Sequence, residues 1–122
     1  MKIVRNNIFD EKFTSEDNKQ KHYIKHVISR KEYDAKNVSD SDYETIADVL
    51  QNAPVDNKKI FGYVSNYNNN NYTYVKYNKE TNDYVVYTYK NSIPYTISLF
   101  KRSWRYYNKR KELEYYADIK DG

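Results

Sequence analysis

Two hydrophobic periods divide the chain: apolar side chains recur at helical spacing between Tyr23 and Leu50, then alternate with polar ones from Lys59 to about Lys101. Tyr23, Ile24, Val27 and Ile28 follow Thr14-Ser15-Glu16-Asp17, whose hydroxyls offer a helix cap and whose acids suit the positive end of a helix dipole. A first helix is predicted over roughly 15–31. Ser41-Asp42-Tyr43-Glu44 reads as a capping box, with Tyr43, Ile46, Ala47 and Leu50 on one helix face and Asn52-Ala53-Pro54 as the stop. That predicts a second helix over about 42–52.

After Lys59 the residues turn to Tyr, Val, Ile and Thr, which fit a pleated, half-buried surface, and strands are predicted near 60–67, 72–78, 84–90 and 94–101. Asn68 to Asn71, Asn78 to Asp83 and Lys90-Asn91-Ser92 are short, polar links of the kind that join antiparallel neighbours. Pro94 has no N–H to donate, so it belongs at the start or edge of the last strand. Ser103 then offers a cap for a C-terminal helix in which Trp104, Tyr107, Leu113, Tyr116 and Ala117 face the sheet. The expected fold is α+β, with N-terminal helices packed on a four-stranded antiparallel sheet, a C-terminal helix, and one sheet face left open for a ligand. Residues 1–13 are read as a small strand or a loose arm.

Composition sharpens this picture. A chain of 122 residues has room for one core, so 1–122 is taken as a single domain. The 16 tyrosines make that core aromatic. The formal charge of +4 is unevenly placed: Lys101, Arg102, Arg105, Lys109, Arg110 and Lys111 form a run without an acid. An anionic partner follows more from this run than from the total. The absence of cysteine excludes disulfides, zinc–thiolate sites and thiol catalysis. No apolar run reaches the ~20 residues of a membrane span, and no signal-peptide stretch follows Met1-Lys2-Ile3-Val4-Arg5. The expectation is a soluble, cytoplasmic protein that makes no use of a membrane.

The candidate chemistry centres on His22-Tyr23-Ile24-Lys25-His26, which sets both histidines on one side of a helix beside Lys25. Cleaving RNA without a metal needs a base for the 2′-hydroxyl, an acid for the leaving 5′-oxygen and cations for the charge on phosphorus. Histidine suits the first two roles and Lys or Arg the third. The plainer alternative packs the histidines beside Val27. A zinc site is the other, although the glutamate of H-E-x-x-H is replaced here by Tyr23 and no third ligand is evident. In the last strand Ser98, Phe100 and Arg102 share one side, so a hydroxyl and a guanidinium stand together for a phosphate. Arg30, Lys76, Lys101 and Arg105 are further candidate phosphate contacts, and Tyr107 a candidate base-stacking ring. Most of the tyrosines are expected to be structural.

Several short motifs carry a family resemblance: Lys21 to Val27 in an early helix, Leu50 to Pro54 closing the next, Val75-Lys76-Tyr77 before Asp83 to Val86, and Ile97 to Lys101 leading into Tyr106-Tyr107. Together they resemble the superfamily of barnase, EndoU, colicin D and RelE-like nucleases, with its phage-encoded and polymorphic-toxin members, over about 20–110 of the chain. The resemblance implies a helical part packed on a four-stranded antiparallel sheet and RNA cleavage on the sheet side. It makes His22, Lys25 or His26, and the hydroxyl of Ser98 the catalytic candidates, with Lys76 and Arg102 stabilising phosphate. Ser98 departs from a frequent threonine, and Arg102-Ser103 from a frequent proline. The implied activity is a metal-independent endoribonuclease toxin acting on tRNA or another structured RNA. It would need no cofactor and would have a cognate immunity protein or antitoxin. The alternatives are a phage-encoded inhibitor that blocks a host defence complex without catalysis, and a housekeeping RNA-binding module.

Overall fold

A computed structural model describes residues 2–5, 16–68, 71–91 and 93–120. The expected cap at Thr14-Ser15, the Ile8-Phe9 pair and the tip Asn69-Asn70 lie outside them. In order come β1 (Lys2–Arg5), α1 (Glu16–Tyr23), a π-helical segment (Ile24–Ser29), α2 (Asp40–Asn52), β2 (Ile60–Asn68), β3 (Asn71–Asn78), β4 (Asp83–Lys90), β5 (Ile93–Lys101), α3 (Trp104–Glu114) and β6 (Ala117–Lys120). The fold is α+β, and β2 to β5 form the expected meander of antiparallel hairpins. Among the described residues no helix is long and apolar enough to cross a membrane.

The sheet is larger than four strands. Its order is β1-β6-β2-β3-β4-β5, with β6 antiparallel to β2 and β1 parallel to β6. The segment read as the end of the last helix is therefore a strand. Tyr116 to Ile119 alternates with period two, and Ala117 and Ile119 point into the core, whereas Leu113 is exposed. α2 starts earlier than expected, because the capping box is Ser39 with Asp42 rather than Ser41 with Glu44. Both pairs satisfy the same spacing, and the earlier one adds half a turn of helix.

Both faces of the sheet are covered. Val64, Tyr74, Val85, Tyr87, Ile97 and Leu99 pack with Tyr43, Ala47 and Leu50 of α2 and with Val27. On the opposite face Tyr63, Val75, Tyr77 and Tyr84 pack with Tyr107, flanked by Phe61, Phe100 and Trp104. The open ligand face expected from the sequence is thus occupied by α3, since Trp104 and Tyr107 need an apolar surface and the second aromatic face supplies it. Packing is close where β2 passes β3: a Cβ on Gly62 would lie 2.8 Å from the Val75 carbonyl oxygen and 3.0 Å from Ile119 Cδ1. Gly62→Ala is expected to cost about 1–3 kcal/mol, read as a lower urea midpoint. An unchanged midpoint would mean that β2 relaxes freely.

β5 is an edge strand whose outward backbone groups are claimed by the N-terminal helices and the turn after them. Ile97 N–H donates to Asn18 Oδ1 at 3.4 Å, the Leu99 carbonyl accepts from the Tyr43 hydroxyl, and Lys101 N–H donates to Glu32 Oε1 at 2.7 Å. An edge left bare would offer those groups to another strand. This closure brings the histidine segment against β5. α1 is held from the other side to α2, through Lys19 to Glu44 at 3.7 Å and Gln20 to Asp40 at 2.8 Å, and to the turn before it, through the Tyr23 hydroxyl donating to the Val38 carbonyl at 3.1 Å.

Candidate active site

The histidines owe their position to a buried stripe rotated by one residue from the expected one. Ile24 and Ile28 are 53% and 48% exposed, while Tyr23, Val27 and His26 turn inward. The inward face of this stretch therefore contains Lys19, His22, Tyr23, His26 and Val27, at helical spacing but largely polar. Its polar members find partners at the strand edge, on α2 and in the segment between the two helices, which apolar periodicity alone cannot reveal. The backbone widens to a π-helix over Ile24–Ser29, a rare conformation that recurs at functional sites. It ends at Ser29 with Arg30 as its C-cap, and Lys31 follows with a φ of 53°, left-handed and unfavourable for a side chain with a Cβ. Glu32 N–H then donates to the His26 carbonyl at 2.8 Å, turning the Glu32 side chain back toward β5.

Four side chains join there. His22 Nε2 lies 3.1 Å from Ser98 Oγ, and His26 Nδ1 lies 2.6 Å from Glu32 Oε2. The two imidazoles are parallel, 6.1 Å apart with an interplanar angle of 6°. Glu32 also accepts from Arg102 Nη1 at 3.1 Å through Oε1, the oxygen that holds Lys101 N–H. Beneath this network His26 meets the Phe100 ring at 5.2 Å, and the Arg102 guanidinium lies 4.3 Å from the same ring. Arg102 Nη1 also donates to the Lys101 carbonyl at 2.6 Å, so the carboxylate and the strand end fix the guanidinium together.

The environment favours neutral imidazoles. Burial, then the charges of His26, Lys25 and Lys21, pulls His22 down to about 4. His22 Nδ1 is buried with no hydrogen-bond partner among the described residues, so an imidazolium there would strand a donor. His26 is lowered by burial, against the raising effect of Glu32 and with Lys25 and Arg30 lowering it further. Glu32 is held below its ordinary value because its bonds to His26 and Lys101 and the charges of His26 and Arg102 together outweigh desolvation, its largest single influence, which acts the other way. The carboxylate fixes the proton of neutral His26 on Nδ1, where Glu32 accepts it, and leaves Nε2 as the basic nitrogen. Glu32 thus does for His26 what a buried carboxylate does for a catalytic imidazole generally.

A stability effect follows with a definite sign. Below about 6.5 an unfolded chain protonates its histidines, while the folded chain resists until about 4 at His22. The unfolded state then binds more protons, so stability falls as pH drops through that window and this contribution levels off beneath it. Urea midpoints measured between pH 7 and pH 4 are expected to decline. Equal midpoints at pH 7 and pH 4.5 would contradict the buried neutral histidines.

The remaining candidates sort themselves by burial. Lys25, Arg30 and Arg105 are exposed, and Lys25 and Arg30 act electrostatically on the histidines. Ser98, on the same side of β5 as Phe100 and Arg102, bonds to His22. Lys101 is occupied on the α2 face, at 2.9 Å from Asp83 and donating to the Thr81 carbonyl at 2.8 Å. Lys76 is fully buried on that same face, its ammonium donating to the Ala53 carbonyl, and the sheet separates it from His22 and Ser98. Alternation fixed its side of the strand but not which face the site would take. Tyr107, 1% exposed, lies inside the second core. Glu32 was not singled out from the sequence; its one signal is the spacing to His26 across a helix end, which is common. Among the described residues no three His, Asp or Glu side chains gather as a metal site. Compared with known proteins, the chain matches no family model, no curated sequence and no solved structure.

Proposed function

We propose that this chain is a metal-independent endoribonuclease of the toxin type, cleaving tRNA or another structured RNA by attack of a 2′-hydroxyl on the adjacent phosphate. The observation that carries the reading is the His26–Glu32 pair at 2.6 Å, set at the end of an edge strand among cations. In this reading His26 Nε2 takes the proton of the 2′-hydroxyl, and Glu32 stabilises the imidazolium that forms. The oxygen attacks phosphorus, the bond to the 5′-oxygen breaks, and that oxygen takes up a proton from water while the His26 imidazolium returns its own to solvent; the His22–Ser98 pair supports the site from beside it. A 2′,3′-cyclic phosphate and a 5′-hydroxyl result. Arg102, Lys25 and Arg30 offset the charge gathering on the phosphate, and Arg105 extends the cationic track. A strained Lys31 and a π-helix at this one place are further support, because such costs concentrate where geometry serves chemistry. A toxin of this kind would act in the cytoplasm and would have an immunity protein or antitoxin as its partner.

The test is incubation of the purified chain with total tRNA in the presence of a chelator, beside the His22→Ala/His26→Ala double variant. Fragments from the native chain alone are expected. Equal cutting by the variant removes the mechanism, and abolition by the chelator replaces it with a metal-dependent one.

One observation favours a second reading. His26 is only 3% exposed, and Glu32 already satisfies it together with Arg102 and Lys101. On that view the network clamps the helical segment to β5, and the chain is a non-catalytic inhibitor that occupies a nucleic-acid site. Stable co-purification with a large partner and no cleavage product would support it.

A further inference from the structure

Tyr107 is inside the core, but its neighbour is not. Tyr106 is 37% exposed and sits in the first turn of α3, where its N–H donates to the Ser103 cap at 3.1 Å. Tyr84 meets its ring near edge-on, at 5.7 Å and 72°. The Arg102 guanidinium lies 5.3 Å from the Tyr106 centroid and 4.3 Å from that of Phe100, so the cation bridges an exposed ring and a half-buried one. Arg102 uses only Nη1 in its bonds to Glu32 and Lys101. Its other guanidinium donors have no partner among the described residues, and a guanidinium carries five in a fork that suits phosphate oxygens. Arg105 stands exposed beside Tyr106, and no acid occurs between Lys101 and Lys111.

We infer that Tyr106 and Arg102 form a reading platform for an unpaired nucleotide, with the base stacked on Tyr106 and its phosphate on the free donors of Arg102. Among the described residues Tyr63, Tyr74, Tyr77, Tyr84, Tyr87 and Tyr89 of the strands cannot serve, because they are buried in the two cores. A base inside a duplex has both π-faces taken by its neighbours, so only an unstacked one presents a face to an exposed ring. Arg102 joins the platform to the histidines through Glu32, so a nucleotide held there lies next to the proposed cleavage site. The substrate class is then RNA with single-stranded or looped residues, not continuous duplex. This rests on the proposed function for its link to cleavage, and on the surface geometry alone for binding.

The test separates the two. A 2′-O-methyl ten-mer, which lacks the attacking hydroxyl, is titrated by fluorescence anisotropy as a single strand and as a duplex, against native protein, Tyr106→Ala and Tyr106→Phe. Tyr106→Ala is expected to weaken single-strand binding by roughly ten- to a hundredfold. Tyr106→Phe keeps the ring and is expected to stay within about twofold, and Tyr106→Ala should leave duplex affinity unchanged. Thermal midpoints of the variants verify folding. Single-strand affinity of Tyr106→Ala equal to native, an equal loss on duplex, or no single-strand binding by native protein overturns the platform. Cleavage assays on unmodified RNA report separately: a platform without cleavage overturns the proposed nuclease alone, and cleavage indifferent to Tyr106 overturns the platform alone.

Discussion

Replacing His26 by alanine is expected to lower RNA cleavage by about a hundred- to ten-thousandfold, the range usual for loss of a positioned general base. His22→Ala is expected to cost less, because its Nε2 is already bonded to Ser98 and its Nδ1 has no partner among the described residues to orient it. The difference follows from the carboxylate: only His26 has a neighbour that fixes its tautomer and steadies the positive charge formed on taking a proton. Since both imidazoles are held below their ordinary value, the acid limb of the rate profile should fall below pH 6.5. Single-turnover rates at saturating RNA measure the effect without interference from binding. If His22→Ala proves the more damaging of the two, the roles are exchanged and Glu32 is structural.

The second large effect is on stability. Glu32 receives His26, Arg102 and the Lys101 N–H, and its side chain is mostly buried. Glu32→Ala is therefore expected to cost about 3 kcal/mol, because it leaves three donors without their acceptor in a half-buried setting. Urea denaturation checks it, and a midpoint equal to the native one would show that water replaces the carboxylate. Glu32→Gln separates the two duties of the residue. Its amide oxygen can still accept from Lys101, but the group no longer carries charge, and an amide NH2 turned toward His26 would force the imidazole proton onto the other nitrogen. Stability should largely return in this variant while cleavage stays low.

The contrast between what the chain announces and what it conceals has a physical pattern. The meander was legible because alternation of Tyr, Val and Ile changes at Asn-rich turns, where Asn82 and Asn91 adopt left-handed φ of 65° and 53°. β6 was not, since Leu113 to Ala117 also fits a helical spacing and only the pairing with β2 decides between them. The histidine pair was visible as a spacing, and so was the alternation that puts Ser98 and Phe100 beside it. Glu32 depended on a left-handed Lys31 after a π-helix, neither of which the local residues favour. Lys76 and Tyr107 attracted attention as residue types. Their burial reflects the aromatic character of both sheet faces, which alternation cannot rank. Tyr106 differs from Tyr107 by a single step around α3, too small a difference to read without the sheet in place.

The most direct measurement is the chemistry of the cut ends. An oligoribonucleotide with one susceptible linkage, treated with the native chain and a chelator, is predicted to give a 2′,3′-cyclic phosphate and a 5′-hydroxyl, and to resist cutting when that one ribose is 2′-deoxy. A 3′-hydroxyl with a 5′-phosphate, or cutting that persists on the deoxy linkage, would contradict proton abstraction by His26.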